Sequence, residues 1–171
     1  MLGRYASRIT DSARRILEQI GARASDRGLH VVDSSSIVWL ALFSLLLWER
    51  KVGRMALERI GIDAFELARG VDALLEAKVE QHPVVYDQRK GIAVHAKTGE
   101  PHQHSDFPAL LLPLLKQAEI EASDLGHNYI GSEHLALAIV RLADPSLAAL
   151  LQERGVRHPA LRESVVELLD R

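Results

Sequence analysis

The stretch ASDLGHNYIGSEHLALAI, Ala122 to Ile139, carries two histidines seven residues apart and a Gly-Ser-Glu-His cluster that opens an apolar run. Its first five residues return earlier in the chain, where ASDRG, Ala24 to Gly28, matches ASDLG, Ala122 to Gly126, at an offset of 98. Holding that offset sets Ile16 and Leu17 on Leu114 and Leu115, Ser34 on Ser132, and Ile37 on Leu135. Further on, Gly61 pairs with Gly155 at an offset of 94, and Leu67, Val71, Leu74 and Leu75 then fall on Leu161, Val165, Leu168 and Leu169. Self-similarity at a fixed spacing marks a structural unit used more than once. The change of offset places a gain or loss of four residues in a loop, where length changes are tolerated best. The chain reads as a duplication.

Within each copy the apolar residues keep helical rather than strand periodicity. Each copy reads as a helix, a short loop with glycine, a buried helix, a loop, a helix ending at Gly61 or Gly155, and a final amphipathic helix. The buried helix of the first copy contains IVWLALFSLLLW, Ile37 to Trp48. At twelve residues it falls short of the roughly 20 that a membrane span requires, so it is expected to be a core helix. The expected fold class is all-α: two pseudo-symmetric four-helix repeats forming one helical domain, residues 1–79 and 108–171, with an insert at 80–107. Inside the insert, Val84-Val85-Tyr86 and Ile92-Ala93-Val94 flank a polar turn and suggest a small β-hairpin, with a flexible linker as the alternative.

Composition narrows the function. With 47% hydrophobic and 26% charged residues among 171, the chain has the balance of a folded globular protein. Its formal net charge of -2 provides no strong field toward nucleic acid or anionic membrane. The absence of cysteine removes disulfides, thiolate nucleophiles and zinc-thiolate sites. The opening MLGRYASRITDSARRILEQI is basic and amphipathic without a continuous apolar stretch, so it does not read as a signal peptide, and a cytoplasmic location is expected.

The second copy, LGHNYIGSEHLALAIV, closely resembles the signature of the Clp N-terminal domain, the repeat at the front of ClpA/ClpB/ClpC-type AAA+ unfoldases, in which Leu-Gly-His-x-x-Ile-Gly-Thr-Glu-His-Leu-Leu is typical. The opening MLGRYASRITDSARRIL is similar to the start of ClpC-type chains. The resemblance implies an all-α fold and a non-enzymatic protein-binding role toward substrates, adaptors or a Clp ATPase in trans. In ClpC-type domains it also implies recognition of arginine-phosphorylated proteins, with the motif glutamate receiving the guanidinium near a helix start suited to phosphate. Carried onto this chain, Glu133 holds the glutamate position, Ser132 replaces threonine, Gly131 precedes it and His134 is retained. In the first copy Asp33, Ser34, Ser35 and Ser36 stand at the Gly, Thr, Glu and His positions. The acidic position is lost there, so any inherited recognition is expected to be one-sided. No G-x-x-x-x-G-K-[ST] occurs, so a free-standing N-domain without an ATPase of its own is expected.

Other readings compete locally. Ser132 is suited to capping a helix that starts at Glu133, and Glu133 to favouring that helix's dipole. His127 and His134 lack the spacing that puts two metal ligands on one helix face, and satisfied, buried histidines are expected. His95, His102 and His104 form a second candidate constellation, for a small metal-binding protein or metal-dependent enzyme. A third alternative is a structural domain that oligomerises through the inserted hairpin. The leading expectation carries no cofactor, no metal, no nucleic acid and no membrane partner.

Overall fold

The computed structural model describes residues 2–29, 33–48, 50–100 and 107–170, without the side chains of Val85, Tyr86 and Phe107. The first repeat contains α1 (Asp11–Asp26), α2 (Ser34–Leu47), α3 (Val52–Arg59) and α4 (Ala64–Gln81). The second contains α5 (Phe107–Asp124), α6 (Ser132–Leu142), α7 (Pro145–Glu153) and α8 (His158–Leu169). Gly28 and Gly126 follow the first helix of each copy at φ 65° and 75°, and Gly61 and Gly155 follow the third at 89° and 79°. Left-handed backbone is nearly free for glycine alone, so these four positions fix where both copies turn. The four-residue difference in offset lies at the end of the second helix, since α2 has 14 residues and α6 has 11, as well as in the loop that follows.

Asp63 and Asp144 start α4 and α7 by accepting from the N–H groups of the first turn. Helix α2 is buried nearly all round, with Ile37, Leu40, Ala41 and Leu45 fully inaccessible, because α1, α4, α5 and α6 all pack on it. Burying each such leucine or isoleucine contributes about 1.5–3 kcal/mol, which makes α2 the centre of the core.

The repeats interlock. Helix α3 packs against α6 and α8 of the second repeat, while α7 packs against α4 of the first. Between α3 and α8, the Ser164 hydroxyl donates to the Ala56 carbonyl at 2.8 Å. The N-terminal segment also crosses over. Thr10 N–H donates to the Ile130 carbonyl at 3.0 Å and Ile130 N–H to the Arg8 carbonyl at 2.8 Å, giving a parallel bridge between Ile9 and Ile130.

The insert forms the expected hairpin. Strands β1 (Val84–Asp87) and β2 (Ile92–His95) pair antiparallel with Val84 opposite His95 and Asp87 opposite Ile92. The Asp87 side chain accepts from the N–H groups of Arg89 and Lys90, and Gly91 closes the turn at φ 69°. Among the described residues no single helix is long and apolar enough to cross a membrane.

Candidate functional site

The start of α6 is built from residues 127–134. Gly131 is the N-cap, and α6 begins at Ser132 rather than at Glu133. Capping differs from the local expectation, because the Ser132 hydroxyl turns away from its own helix and accepts the backbone N–H of Gly53 at 3.1 Å. Gly53 lies in the first turn of α3, whose N-cap residue Lys51 makes no side-chain cap. A free N–H at a buried helix start needs an acceptor, and Ser132 supplies it across the repeat interface. The approach is so close that a Cβ on Gly53 would lie 2.5 Å from the Ser132 carbonyl oxygen.

Glu133 is 4% exposed, and its carboxylate folds back over Gly131, where a Cβ would collide with it. Burial raises the Glu133 carboxyl above its ordinary value of 4.5, while its own N–H, His127, the Tyr129 hydroxyl and Ser132 pull it down again. Burial and the adjacent Glu133 also raise the Tyr129 phenol. His134 is fully buried, and its Nδ1 accepts the Gly131 N–H at 2.9 Å. Its proton is therefore on Nε2, which faces His127 Nδ1 at 2.9 Å. With Nδ1 occupied in this way, the 3.6 Å separation from Glu133 is a contact between a neutral ring and a carboxyl group, and no ion pair forms. Burial, reinforced by His127 and opposed by Glu121, lowers the His134 imidazolium pKa to about 4. Tyr129 stacks on His127 with ring centroids 5.0 Å apart and meets the His134 ring edge-on at 5.3 Å. Both histidines are satisfied by each other and by the helix start, as expected of structural residues.

The counterpart at α2 is differently filled. Asp33 is its N-cap and accepts from the Ser36 N–H at 2.9 Å and from the hydroxyls of Ser35 and Ser36, each at 2.8 Å. Lys78, reaching from α4, donates to Asp33 at 2.8 Å and to the Ser35 hydroxyl at 2.7 Å, and sits 4.8 Å from the centroid of the Trp39 ring. Although burial pushes the Asp33 carboxyl up, the hydrogen bonds from Lys78, Ser36 and Ser35 hold it well below the usual carboxylate range. Ser34 is the exposed first residue of α2. The six sequence-predicted residues thus form two separate helix starts: Gly131, Ser132 and Glu133 at one, Asp33, Ser34 and Ser35 at the other.

Sequence reasoning missed Lys78, Tyr129 and Gly53. Tyr129 lies inside the opening motif and was legible as a neighbour, whereas Lys78 and Gly53 are 45 and 79 residues from their partners and leave no local trace. Among the histidines proposed for metal, His95 lies on β2, while His102 and His104 lie outside the described residues. Among the described residues no group of three His, Asp or Glu side chains is arranged to hold a metal.

Comparison with known proteins supports the architecture. Residues 111–171 match the family described as the Clp repeat (R) N-terminal domain. The chloroplastic chaperone ClpC of Pisum sativum is 38% identical over 72 residues, covering 38% of this chain and 8% of its own length. ClpB of Oceanobacillus iheyensis is 22% identical over 169 residues, covering 99% of this chain and 17% of its own. The chain therefore spans less than a fifth of the length of these relatives. Among solved structures, the N-terminal domain of the chaperone ClpD from Arabidopsis thaliana aligns with a TM-score of 0.59 at 18% identity, over 99% of this chain and 100% of that one. A chain from structural investigations of a malarial protein secretion system aligns at 0.62, also with 18% identity, over 94% and 93%.

Proposed function

We propose, from the Clp N-terminal fold of the whole chain and the Clp repeat sequence of residues 111–171, that this protein is a non-catalytic interaction module engaging substrates, adaptors or an ATPase of the Clp system. The recognition centre we assign is the start of α6, with Glu133 as the acidic residue and Gly131 and Ser132 shaping the backbone around it. The supporting observation is the contrast between the two helix starts. Lys78 already supplies a cation to Asp33 and Ser35, whereas among the described residues no lysine or arginine lies within ion-pair distance of Glu133, whose basic neighbours are histidines.

A guanidinium ligand, including phosphoarginine, fits this centre chemically because a carboxylate offers two acceptors to the planar fork of donors. Binding uses the ionised form of Glu133 and exchanges its contact with the Tyr129 hydroxyl for the ligand. A neighbouring cation favours that ionised form, so ligand and proton compete for the same group. The test is titration of a phosphoarginine peptide, together with pull-down of partners, using the wild type and Glu133→Gln. The amide should abolish phosphoarginine binding and deplete the captured set. An unchanged partner set with Glu133→Gln would remove the site assignment while leaving the fold untouched.

A further inference from the structure

Helices α1 and α2 lie side by side and together carry a strip of cations laid on aromatic rings. On α1, Arg15, Gln19 and Arg23 recur every fourth residue, with Arg27 at the C-cap, so they form one ridge. On α2, Phe43 and Leu47 form the facing ridge, and Trp48 continues it. The guanidinium carbons of Arg23 and Arg27 lie 5.5 and 4.2 Å from the Phe43 ring centroid, while Arg15 and the Lys51 ammonium each lie 5.7 Å from that of Trp48. Gln19 ties the ridges together: its Oε1 accepts from Trp48 Nε1 at 3.2 Å and from the Arg23 guanidinium at 2.9 Å. At 1.5 Å per helical residue the ridge from Arg15 to Arg27 is about 18 Å long.

Charge along this strip is not balanced from within. Arg27 is paired with Asp72 at 2.8 Å. Among the described residues, no carboxylate lies within ion-pair distance of Arg15, Arg23 or Lys51. Arg23 Nε is buried without a hydrogen-bond acceptor, and burial together with Arg27 lowers the Arg23 pKa, opposed by Asp26, which lies beyond ion-pair distance. Leu47, 37% exposed between Phe43 and Trp48 in the sequence, adds an apolar foothold. Three cations without an ion pair among the described residues, on a chain of net charge -2, are a local concentration, and they complement a partner of opposite sign.

We propose that the α1–α2 strip docks an acidic segment of another protein, its carboxylates facing Arg15, Arg23 and Lys51 and one apolar side chain resting on Leu47. A protein segment fits better than nucleic acid. Single-strand binders present aromatic faces on which bases stack, whereas Phe43 and Trp48 each carry two side-chain cations. Arginine and tryptophan beside an apolar anchor is also the chemistry that concentrates binding energy in protein interfaces. The strip is independent of the α6 site, which calls for a cation on its partner rather than an anion.

The test uses the intact chain and a synthetic peptide with glutamates flanking a central leucine, followed by two-dimensional NMR that includes the Trp48 indole N–H. Saturable shifts confined to α1, α2, Trp48 and Lys51 are expected, weakening roughly tenfold as salt rises from about 50 to about 200 mM. Arg15→Glu with Lys51→Glu should weaken binding by about tenfold or more, while Lys116→Glu, an exposed cation on α5, should stay within about twofold. A lysine version of the peptide should not bind. If the double reversal fails to fold by circular dichroism, Arg15→Gln with Lys51→Gln replaces it, with a loss of about threefold expected from charge removal alone. Absence of saturable shifts, shifts centred elsewhere, or charge variants that bind like the wild type would overturn the proposal. So would an oligonucleotide or an anionic vesicle that occupies the strip when the acidic peptide does not.

Discussion

Ser132 of the second repeat accepts the N–H of Gly53 in the first, 79 residues away, and thereby caps a helix that has no cap of its own. Two small residues meet there because nothing larger fits between the starts of α3 and α6. Gly53→Ala puts a methyl against the Ser132 backbone, which cannot give way as a side chain can, so a loss of about 1–3 kcal/mol is expected from overpacking. Ser132→Ala leaves the Gly53 N–H buried without an acceptor, at a comparable cost of about 1–3 kcal/mol. Urea unfolding should show lower midpoints with an unchanged slope for both. A double variant whose loss equals the sum of the singles would deny the contact, since residues that touch do not behave additively.

His134 makes stability depend on pH in a defined window. Its native pKa of about 4 lies below the ordinary 6.5, so between these values the unfolded chain binds more protons. Its contribution is complete above about pH 6.5 and is lost as pH falls toward 4. Glu133 acts with the opposite sign: its raised carboxyl contributes fully below 4.5 and loses that contribution as pH rises through the native value. His134→Asn, which keeps an acceptor for Gly131, should flatten the rise in urea midpoint between pH 4.5 and 6.5, and Glu133→Gln should steepen it. Identical slopes in the wild type and His134→Asn would show that another group governs the window.

Gly131→Ala should expel the Glu133 carboxylate, because the added Cβ claims the space that the carboxylate fills. The displaced group gains solvent, and its pKa should fall back toward 4.5. Carboxyl-carbon NMR titration reads this directly. An unaltered titration of Glu133 in that variant would mean the carboxylate had never depended on the missing side chain.

At the other helix start, Asp33→Ala should lose about 0.5–2 kcal/mol as a cap, whereas Asp33→Asn should lose less, because asparagine caps almost equally well. Lys78→Met should bring the Asp33 carboxyl back toward its ordinary 3.8. Asp33 contributes stability above that value and loses it as pH falls toward its depressed native value, so the variant should lose less below pH 3.8 than the wild type. The comparison is made by thermal unfolding at a series of acid pH values. An equal loss in both proteins would remove Lys78 as the partner that matters.

The duplication, the paired glycines and the hairpin were legible in the sequence because each is written in local pattern: periodicity in the helices, Gly61 and Gly155 past helix ends, and Asp87 through Gly91 as a turn. The helix starts were legible only as positions. That Ser132 would serve α3 instead of α6, and that Lys78 would fill the place beside Asp33, depends on how the repeats interlock, and no single-repeat pattern records an interface between repeats. The burial of Glu133 was hidden for the same kind of reason. A glutamate in the first turn ordinarily faces water and favours the helix dipole. Here Gly131, Tyr129 and the histidine pair enclose it.

The bridge between Ile9 and Ile130 also sets a schedule for the growing chain. Arg8 reaches the Asn128 carbonyl across 120 residues, so the first strand-like contact of the N-terminal segment must wait until the start of α6 has left the ribosome. Contacts of such long sequence separation slow folding, because a large loop must close before they form. An arrested nascent chain ending at residue 120 should accordingly leave residues 2–10 open to protease, and one extended past residue 145 and free of the exit tunnel should protect them.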